Sequence, residues 1–554
     1  MLADHAEHRP TLPFARFLER GEVVADLSYL QVWELACRWA TLLVERGIRR
    51  GDVVPFVLPN TPDFVGAYFG TLIAGGIPAP AAPFRRISSA EPYLNIIAER
   101  LRFVAAKLLI APSAQAEIAQ TEPFAAFSDV SVVTAADLPD APIPLSPAGS
   151  PNELGLLQFT SGTSGRSKAV QLTHAALLHQ TRVIMEALQI VDRSVDWCVS
   201  WLPLFHDMGI IGFLLTPAVV AGSATFLQTE EFMLRPTFWI KALSDLRATI
   251  TGAPPSAFAM CARRVKESEL ADYDLSSVRI ALVGAETILP ESLQPFVDKF
   301  ARSGFRKTSL MPTYGLAENG LAVTMPPLNT GPQYDRVDKE RLQNEAVAAP
   351  ATANQPSVRS IASVGEPLAQ TEVAIISESG DRLSERQNGE ILIKSASLMS
   401  GYYKQPLKTK QVLQDGWLRS GDMGYLADGN LYITGRKKEV LIVGGRNYYP
   451  DDIEQIAAAV PGVRLKRAVA FSYPNTARAT EAVVVVVETA LSEPDKRDVL
   501  SQSVRKAVVN AGYPLSEVVL LSPRTIRKTL NGKLMRVDCK NRYLAGEFTA
   551  NETS

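Results

Sequence analysis

A loop rich in glycine and hydroxyl residues, Phe159 to Lys168, follows the apolar run Leu154 to Leu157. Glycines let backbone N–H groups approach phosphate oxygens, hydroxyls add donors, and a lysine adds positive charge, so this composition suits phosphate binding. It is not a Walker loop, because two residues separate Gly165 from Lys168, where that motif has glycine and lysine adjacent. A plain turn between two strands is the alternative interpretation.

Five further segments place glycine beside side chains that could bind a nucleotide or a metal ion. Carboxylate oxygens are the ligands that Mg²⁺ prefers, and cations facing phosphate stabilise the charge that develops during phosphoryl transfer. Each segment alone is typical of an ordinary loop. In chain order they are Gly284-Ala285-Glu286, Thr313-Tyr314-Gly315-Leu316-Ala317-Glu318, Ser420-Gly421-Asp422, Gly435-Arg436-Lys437-Lys438 and Asn531-Gly532-Lys533.

Length and composition limit the class of protein. A chain of 554 residues is too long for one hydrophobic core and predicts roughly three to four compact units. The 57 Lys and Arg against 58 Asp and Glu give a net charge of −1, which offers no footprint for nucleic acid or an anionic membrane. Met1 to Pro10 hold no apolar segment, so no secretory signal is expected. Widely spaced cysteines favour reduced thiols in a cytoplasmic protein over disulfides or a zinc site; they are Cys37, Cys198, Cys261 and Cys539.

Strand-like and helix-like patterns alternate over much of the chain. Val53 to Leu58 precedes a helical pattern over Asp63 to Leu72, and Ile280 to Val283 precedes another over Glu291 to Phe300. This alternation predicts an α/β fold with a parallel sheet flanked by helices. The uncharged stretch Met208 to Leu227 is long enough to span a membrane, but its proline and glycines favour a buried helix, a turn and a buried strand.

The pattern changes after about residue 365. Short strands such as Val373 to Ile376 and Asn430 to Ile433, separated by turn residues, predict a barrel-like β-subdomain. A charged joint at Arg436 to Glu439 then precedes a helical pattern around Asp451 to Ala459 and the apolar run Val483 to Val487. The last domain boundary is therefore expected at this joint.

Taken in order with the first loop, these motifs resemble the adenylate-forming superfamily of acyl-CoA synthetases, luciferases and peptide-synthetase adenylation domains. The resemblance covers nearly the whole chain. It implies an N-terminal domain, residues 1–436, of two α/β sheet subdomains and a β-barrel-like subdomain, then a small mobile α+β C-terminal domain, residues 437–554. It also implies the chemistry: a carboxylate attacks the α-phosphorus of ATP, pyrophosphate leaves, and a thiol then accepts the acyl group.

The resemblance assigns roles to single residues. Thr160 to Lys168 would cover the β- and γ-phosphates, Tyr314 would stack on adenine, and Glu318 would hold Mg²⁺. Lys533 would be the catalytic lysine that bridges the carboxylate and the α-phosphate, and Lys438 would be the hinge about which the small domain rotates. The residues expected to contact ATP are Thr160, Ser161, Gly162, Thr163, Ser164, Gly165, Lys168, Gly284, Ala285, Glu286, Thr313, Tyr314, Gly315, Asp422 and Arg436.

His206 lies in a segment that resembles the family's gate near the substrate carboxylate; a packed or hydrogen-bonded histidine is the alternative. Phe213 stands where related ligases often have a second glycine, and its ring could either shorten an acyl tunnel or pack in the core. With Glu318 and Lys533, His206 completes the expected catalytic set. The residues expected at the acyl substrate are His206, Asp207, Gly209, Phe213 and Ala317.

Several details resemble the fatty acyl-AMP ligases within the superfamily: Leu202 to Gly209, Ala317 where CoA ligases tend to carry threonine, and Gly445 to Pro450. A further one is the polar interruption Leu328 to Ile361, either functional or disordered, which resembles a segment thought to restrain the domain rotation needed for CoA transfer. The predicted function is activation of a fatty acid with ATP and Mg²⁺, then loading of an acyl carrier protein. The alternatives are a CoA-forming ligase, a ligase for aryl or amino acids, and a catalytically silent carrier-binding protein.

Overall fold

The computed structural model describes residues 1–84, 90–114, 130–143, 149–160, 168–190, 196–444, 446–464, 467–475, 480–528 and 534–548. Within these ranges the chain forms α/β sheets, an antiparallel β-region and a small α+β region at its C-terminal end. The predicted residues Ser161 to Gly165, Gly445 and Lys533 lie outside the described residues.

A seven-stranded sheet lies in the largest hydrophobic core. Its strands are parallel except for one antiparallel edge strand. All residues of Ser223–Leu227, Ile250–Ala253 and Ile280–Val283 are buried, as expected for parallel strands covered on both faces. In sheet order the strands are Leu310–Pro312, Ile280–Val283, Ile250–Ala253, Trp197–Ser200, Ser223–Leu227, Pro13–Glu19 and Glu22–Ser28.

Two smaller sheets lie in the same half of the chain. One is parallel, in the order Ile77–Pro80, Val53–Phe56, Leu108–Ile110 and Ser131–Val133. The other is antiparallel, in the order Gly401–Tyr402, Lys168–Thr173 and Leu154–Thr160. The pairing of Gly401–Tyr402 with Lys168–Thr173 brings the base of the glycine-rich loop beside Tyr402.

The helices of this half begin at residues that favour helix N-termini. Thr173 accepts a hydrogen bond from the Ala176 N–H group at the start of one helix, and prolines occupy the first turns of several others. The α-helices are Leu2–His8, Tyr29–Glu45, Pro62–Ile73, Ala90–Val104, His174–Ala187, Thr216–Val220, Thr229–Leu234, Thr237–Asp245, Pro255–Arg264 and Pro290–Phe300.

The uncharged stretch from Met208 folds as the sequence predicts. A π-helix, Met208–Leu215, continues into the short helix Thr216–Val220, and the buried strand Ser223–Leu227 follows. Ala221 ends the helix in the left-handed conformation with φ of 55°. Among the described residues, no helix is long and apolar enough to span a membrane.

An antiparallel β-region follows. Strands Thr371–Ile376, Gly389–Ser395, Trp417–Ala427 and Leu413–Gln414 form one sheet, and Asn430–Arg436 pairs with Trp417–Ala427. A smaller sheet joins Tyr314–Gly315, Ala322–Met325 and Glu366–Pro367, and one helix, Pro406–Val412, completes the region. This part corresponds to the predicted β-subdomain.

The interruption Leu328 to Ile361 is ordered, so the disordered alternative is wrong. Strands Tyr334–Asp338 and Val358–Ala362 pair antiparallel, and the helix Lys339–Glu345 follows the first of them. Leu342 and Ile361 pack with Tyr425 and Tyr449, which lie on either side of the charged joint. This segment is called the insertion below.

The described part of the C-terminal region holds a three-stranded sheet, a two-stranded sheet and helices. Residues of the Val483 to Val487 run alternate between two hydrophobic clusters, which explains why the run is apolar at every position. Both clusters contain only residues from Leu441 onward, so this region has hydrophobic cores of its own, and the boundary between residues 436 and 437 stays a prediction. The elements are the strands Leu441–Val443, Arg446–Tyr448, Ala468–Asn475, Thr480–Glu488 and Glu517–Leu521 and the helices Pro450–Ala458, Pro494–Asn510 and Arg536–Leu544.

Candidate functional site

Four neighbouring parallel strands of the seven-stranded sheet end at one edge, and three of the segments that follow them carry predicted site residues. Ligands of open α/β sheets bind at this edge, because the loops that leave the strands there line a common crevice. In sheet order, the strands are followed by Thr313, by Gly284 to Glu286, by Ser256 and by His206. Distant parts of the chain thus meet at one edge.

The Gly284 to Glu286 segment is held by its neighbours. Glu286 Oε1 accepts a hydrogen bond of 2.9 Å from Ser256 Oγ, so the carboxylate is tied to the adjacent strand end. Ala285 has a φ of 66°, a left-handed conformation that an alanine rarely adopts and that occurs often at ligand sites. A Cβ on Gly284 would lie 3.1 Å from Thr313 Oγ1, so the two loops are closely apposed.

Asp422 lies between a tyrosine and an arginine. It is directly opposite Arg436 in the antiparallel ladder, and Arg436 Nε is 3.2 Å from Asp422 Oδ1. Tyr314 donates its hydroxyl to Asp422 Oδ2 at 2.7 Å. The Asp422 charge is the main cause of a raised pKa of Arg436, while burial is the main cause of the strongly raised pKa of Tyr314. The three side chains therefore form one charged, hydrogen-bonded group.

Lys168 and Glu318 are joined through Tyr402. Lys168 Nζ donates to the Tyr402 hydroxyl at 3.1 Å, and that hydroxyl donates to Glu318 Oε1 at 2.7 Å. Burial lowers the pKa of Lys168, and the nearby Glu318 carboxylate opposes this shift in part. Burial and the same carboxylate raise the pKa of Tyr402, so the hydroxyl stays protonated and bridges a cation and an anion.

Tyr402 was missed by the sequence analysis. It lies in Gly401-Tyr402-Tyr403, which has no catalytic pattern, and it reaches the site because its strand pairs with Lys168–Thr173. Ser256 was missed for the same reason, since only the neighbouring strand ends bring it to Glu286. No local signal in the sequence marks either residue.

His206 lies in a loop whose backbone is held by hydrogen bonds with two side chains outside the loop. Gln158 Nε2 donates to the Phe205 carbonyl at 2.8 Å, and Asn60 Oδ1 accepts from the Leu204 N–H group at 3.0 Å. His206 Nδ1 is 2.6 Å from Asp207 Oδ1, so the ring is tied to its own loop. A Cβ on Gly209 would lie 2.1 Å from the Pro203 carbonyl oxygen, so only glycine allows the π-helix to approach this loop.

An apolar cavity begins beside this loop. The space that a water-sized sphere can occupy in it is narrow, about 30 Å³, and the 610 Å³ of empty space in and around it includes open solvent. Met208, directly after the His206–Asp207 pair, lines it, and so does Leu321, whose carbonyl accepts the Leu316 N–H group in the loop that carries Glu318. Phe213 lines the cavity too and is 1% exposed, so it both packs in the core and limits the cavity.

The remaining predicted residues lie around these groups. Thr160 is paired with Lys168 across the base of the glycine-rich loop. A Cβ on Gly315 would lie 1.9 Å from the Leu321 carbonyl oxygen, and Ala317 is buried in the adjacent turn. Lys438 is exposed in the turn Lys437–Glu439, and its charge helps to lower the pKa of Lys168.

The sequence profile of the AMP-binding enzyme family matches residues 2–403. The chain belongs to this family. This chain is 35% identical over 533 residues to the "Putative acyl-CoA synthetase" of Caulobacter vibrioides, and the match covers 96% of this chain and 92% of that protein. It is 30% identical over 571 residues to the medium-chain-fatty-acid–[acyl-carrier-protein] ligase JamA of Moorena producens, covering 98% and 95%.

A solved structure from work on fatty acyl-adenylate ligases of E. coli and L. pneumophila superposes on the AMP-binding enzyme with a TM-score of 0.91. The two chains are 32% identical, and the match covers 99% of this chain and 98% of that one. The predicted membership of the adenylate-forming superfamily is thereby confirmed, as is its fold class. The closer resemblance to fatty acyl-AMP ligases is confirmed by the same likeness.

Proposed function

We propose that this AMP-binding enzyme activates a fatty acid with ATP to an acyl-adenylate and pyrophosphate, and then transfers the acyl group to the phosphopantetheine thiol of an acyl carrier protein. In this second step the thioester bond forms as the bond from the acyl group to phosphate breaks, and AMP leaves. The observation that carries the proposal is that the apolar cavity adjoins the predicted nucleotide site. Met208 and Leu321 line the cavity, and they lie two residues after His206 and three residues after Glu318. An apolar chain and a charged nucleotide can therefore meet at one edge of the sheet.

In the first step, a carboxylate oxygen of the fatty acid bonds to the α-phosphorus of ATP while the bond to pyrophosphate breaks. Lys168 and the hydroxyls of its loop would bind the β- and γ-phosphates, and Tyr314 would stack on adenine. Asp422 would accept hydrogen bonds from the ribose hydroxyls, with Arg436 beside it. Lys533 would face the charge that builds between the carboxylate and the α-phosphate, and His206 would gate the carboxylate.

Glu318 would hold Mg²⁺, and its surroundings fit that ion. Magnesium sites next to nucleotides commonly use one or two protein carboxylates, with phosphates and water completing the shell. Glu318 supplies one such carboxylate, and among the described residues no group of three or more His, Cys, Asp and Glu side chains could hold a metal by itself. When bound, the ion would neutralise charge on the phosphate oxygens.

The insertion supports a carrier protein over CoA as acceptor. Arg359 of the insertion donates to Asp452 Oδ1 at 2.9 Å and lies 4.3 Å from the centre of the Tyr449 ring. Lys339 donates to the Ala511 carbonyl at 2.5 Å and lies over the Tyr513 ring. Both contacts bind the insertion to the C-terminal region beyond the proposed hinge at Lys438, and so oppose the domain rotation that CoA transfer requires.

The test is pyrophosphate release with fatty acids of four to eighteen carbons, aryl acids and amino acids, with and without CoA, with products identified by mass. Acyl-adenylate that persists in the presence of CoA supports the proposal. Acyl-CoA as the main product would instead favour a CoA ligase, the class named for the Caulobacter relative. The Lys533→Ala variant is the inactive control, and undiminished pyrophosphate release in it would contradict the catalytic role of Lys533.

Phe213→Ala is expected to move the preferred fatty acid to a longer chain, because removing a ring that lines the cavity lengthens the available space. The measurement is kcat/KM for pyrophosphate release across the chain-length series. Phe226→Ala is the matched control, since Phe226 is fully buried but does not line the cavity, and losing either ring costs about 3–5 kcal/mol of folding stability. An identical profile in parent and Phe213→Ala would leave Phe213 as core packing only.

Tyr402→Phe is expected to raise KM for ATP about tenfold with a smaller change in kcat. Without the hydroxyl, the opposite charges of Lys168 and Glu318 are free to pair directly, and ATP and Mg²⁺ must then break that pair. Initial rates at varied ATP and fixed free Mg²⁺ measure the change. Tyr403→Phe is the control because its ring faces Phe103 instead; equal KM values in the parent and both variants would refute the bridging role.

A cytoplasmic location is also part of the proposal. The four cysteines are free thiols in the structure, which supports a reducing compartment.

A further inference from the structure

Arg536 binds three carboxylates at once. Its Nε and Nη2 atoms donate to the two oxygens of Glu454 at 2.9 and 3.0 Å, and Nη2 also donates to Asp451 Oδ1 at 2.9 Å. Its Nη1 atom donates to Glu439. The Arg536 side chain is 15% exposed, so these ion pairs are largely shielded from solvent, and removing the guanidinium would leave the carboxylates close together without their cation.

The three carboxylates come from two separate places in the chain. Glu439 ends the turn Lys437–Glu439, directly after the proposed hinge residue Lys438, whereas Asp451 and Glu454 lie on the helix Pro450–Ala458. Arg536 itself begins the helix Arg536–Leu544, three residues after Lys533 in the sequence. Burial raises the pKa of Glu454 to about 7, although Arg536 lies beside it, which shows how enclosed this junction is.

The group formed by Arg536 and its three carboxylates also contacts the loop that carries Glu286, one of the residues predicted to contact ATP. Asp451 Oδ2 accepts a hydrogen bond of 2.8 Å from Thr287 Oγ1, next to Glu286. One turn further along the same helix, Gln455 Nε2 is 3.3 Å from Glu291 Oε2. The helix Pro450–Ala458 therefore docks on the loop that follows Gly284, and Asp451 shares its two oxygens between this docking contact and Arg536.

We propose that Arg536 is a positioning residue for the adenylation step. It joins the hinge turn, the docking helix and the helix Arg536–Leu544 into one body, so that the C-terminal region docks on Thr287 in one fixed orientation during adenylation. The inference rests on the proposed function for its kinetic effect. Its structural part, the coupling of Arg536 to the Thr287 loop, does not depend on the substrate.

The kinetic test compares Arg536→Lys, Thr287→Val and the double variant in pyrophosphate release, using the fatty acid that the parent enzyme activates fastest. Arg536→Lys keeps the charge but loses the fork that holds three carboxylates, and Thr287→Val removes only the hydroxyl. Each is expected to lower kcat about tenfold with KM for ATP changed less than about twofold, because only the orientation of the catalytic group changes. Thr287→Ser is expected to restore kcat to the parent value.

The double variant distinguishes one coupled path from two separate effects. If Arg536 acts through Asp451 and Thr287, the double variant loses no more than about tenfold, whereas independent effects would multiply to about a hundredfold and overturn the proposal. Arg527→Lys is the matched control. Arg527 is 62% exposed and pairs with Asp538, which lies on the helix that Arg536 begins. Parental kcat in Arg536→Lys would equally refute the role.

A second measurement needs no turnover and separates this inference from the proposed function. Hydrogen–deuterium exchange of the segment 284–292 is expected to be faster in Arg536→Lys and in Thr287→Val than in the parent, while exchange in the strand Ile250–Ala253 stays the same. Unchanged exchange at 284–292 in both variants would overturn the coupling even if the enzyme is active. Faster exchange in an enzyme that activates no fatty acid would preserve the coupling and refute the proposed function alone.

Discussion

Asp422→Asn is expected to lower kcat/KM for ATP by about 100- to 1000-fold, mainly through KM. The carboxylate is 10% exposed, accepts a hydrogen bond from Tyr314 and forms an ion pair with Arg436, and it would also accept hydrogen bonds from the ribose hydroxyls. An asparagine replaces one acceptor oxygen by an NH₂ group, which would then face other donors. The change also removes the negative charge that pairs with Arg436. Hydrogen bonds to charged groups contribute about 1.5–3 kcal/mol each, so losing two near the lower end of that range costs about 3–4 kcal/mol, which corresponds to the expected loss.

The measurement is the initial rate of pyrophosphate release at varied ATP and saturating fatty acid. Asp428→Asn is the matched control, because Asp428 lies in the turn of the same hairpin but its side chain is 88% exposed. The control is expected to keep the parental kcat/KM. A loss below about fivefold in Asp422→Asn, less than one kcal/mol, would show that the carboxylate does not bind the nucleotide.

Arg359→Met is expected to turn part of the product from acyl-adenylate into acyl-CoA when CoA is present. The change removes the cation that pairs with Asp452, a carboxylate only 14% exposed whose other hydrogen bond comes from the Tyr513 hydroxyl. Leaving such a charge unpaired costs about 3 kcal/mol in the docked arrangement, and the carboxylate regains water when the C-terminal region moves away. The balance between the two arrangements then shifts by roughly a hundredfold.

Acyl-CoA formation, followed by mass at fixed CoA, is therefore expected to rise by up to about a hundredfold in Arg359→Met. Arg341→Met is the control: Arg341 lies in the same insertion, but it is 48% exposed and pairs with Glu345 on its own helix. Parental acyl-CoA formation in Arg359→Met, with adenylation intact, would show that this contact does not restrain the domains.

The sequence by itself determined the kinds of element and much of the site chemistry. Local patterns sufficed for this: an apolar run followed by a helical period predicted the strand Ile280–Val283 and a helix over Glu291 to Phe300, which the structure has as Pro290–Phe300. Glycine next to charge marked Asp422 and Arg436, which the structure places opposite each other in one ladder. The order of the motifs was enough to recognise the family.

Tertiary structure alone decided which of these side chains act on one another. Tyr402 reaches Lys168 and Glu318 across 234 and 84 residues of sequence, and Arg359 reaches Asp452 across 93. Such contacts depend on strand order and on the packing of whole layers. The sequence around a tyrosine or an arginine contains no pattern that indicates its distant partner. The insertion shows the same limit: its polar composition left disorder open, whereas packing against Tyr425 and Tyr449 orders it.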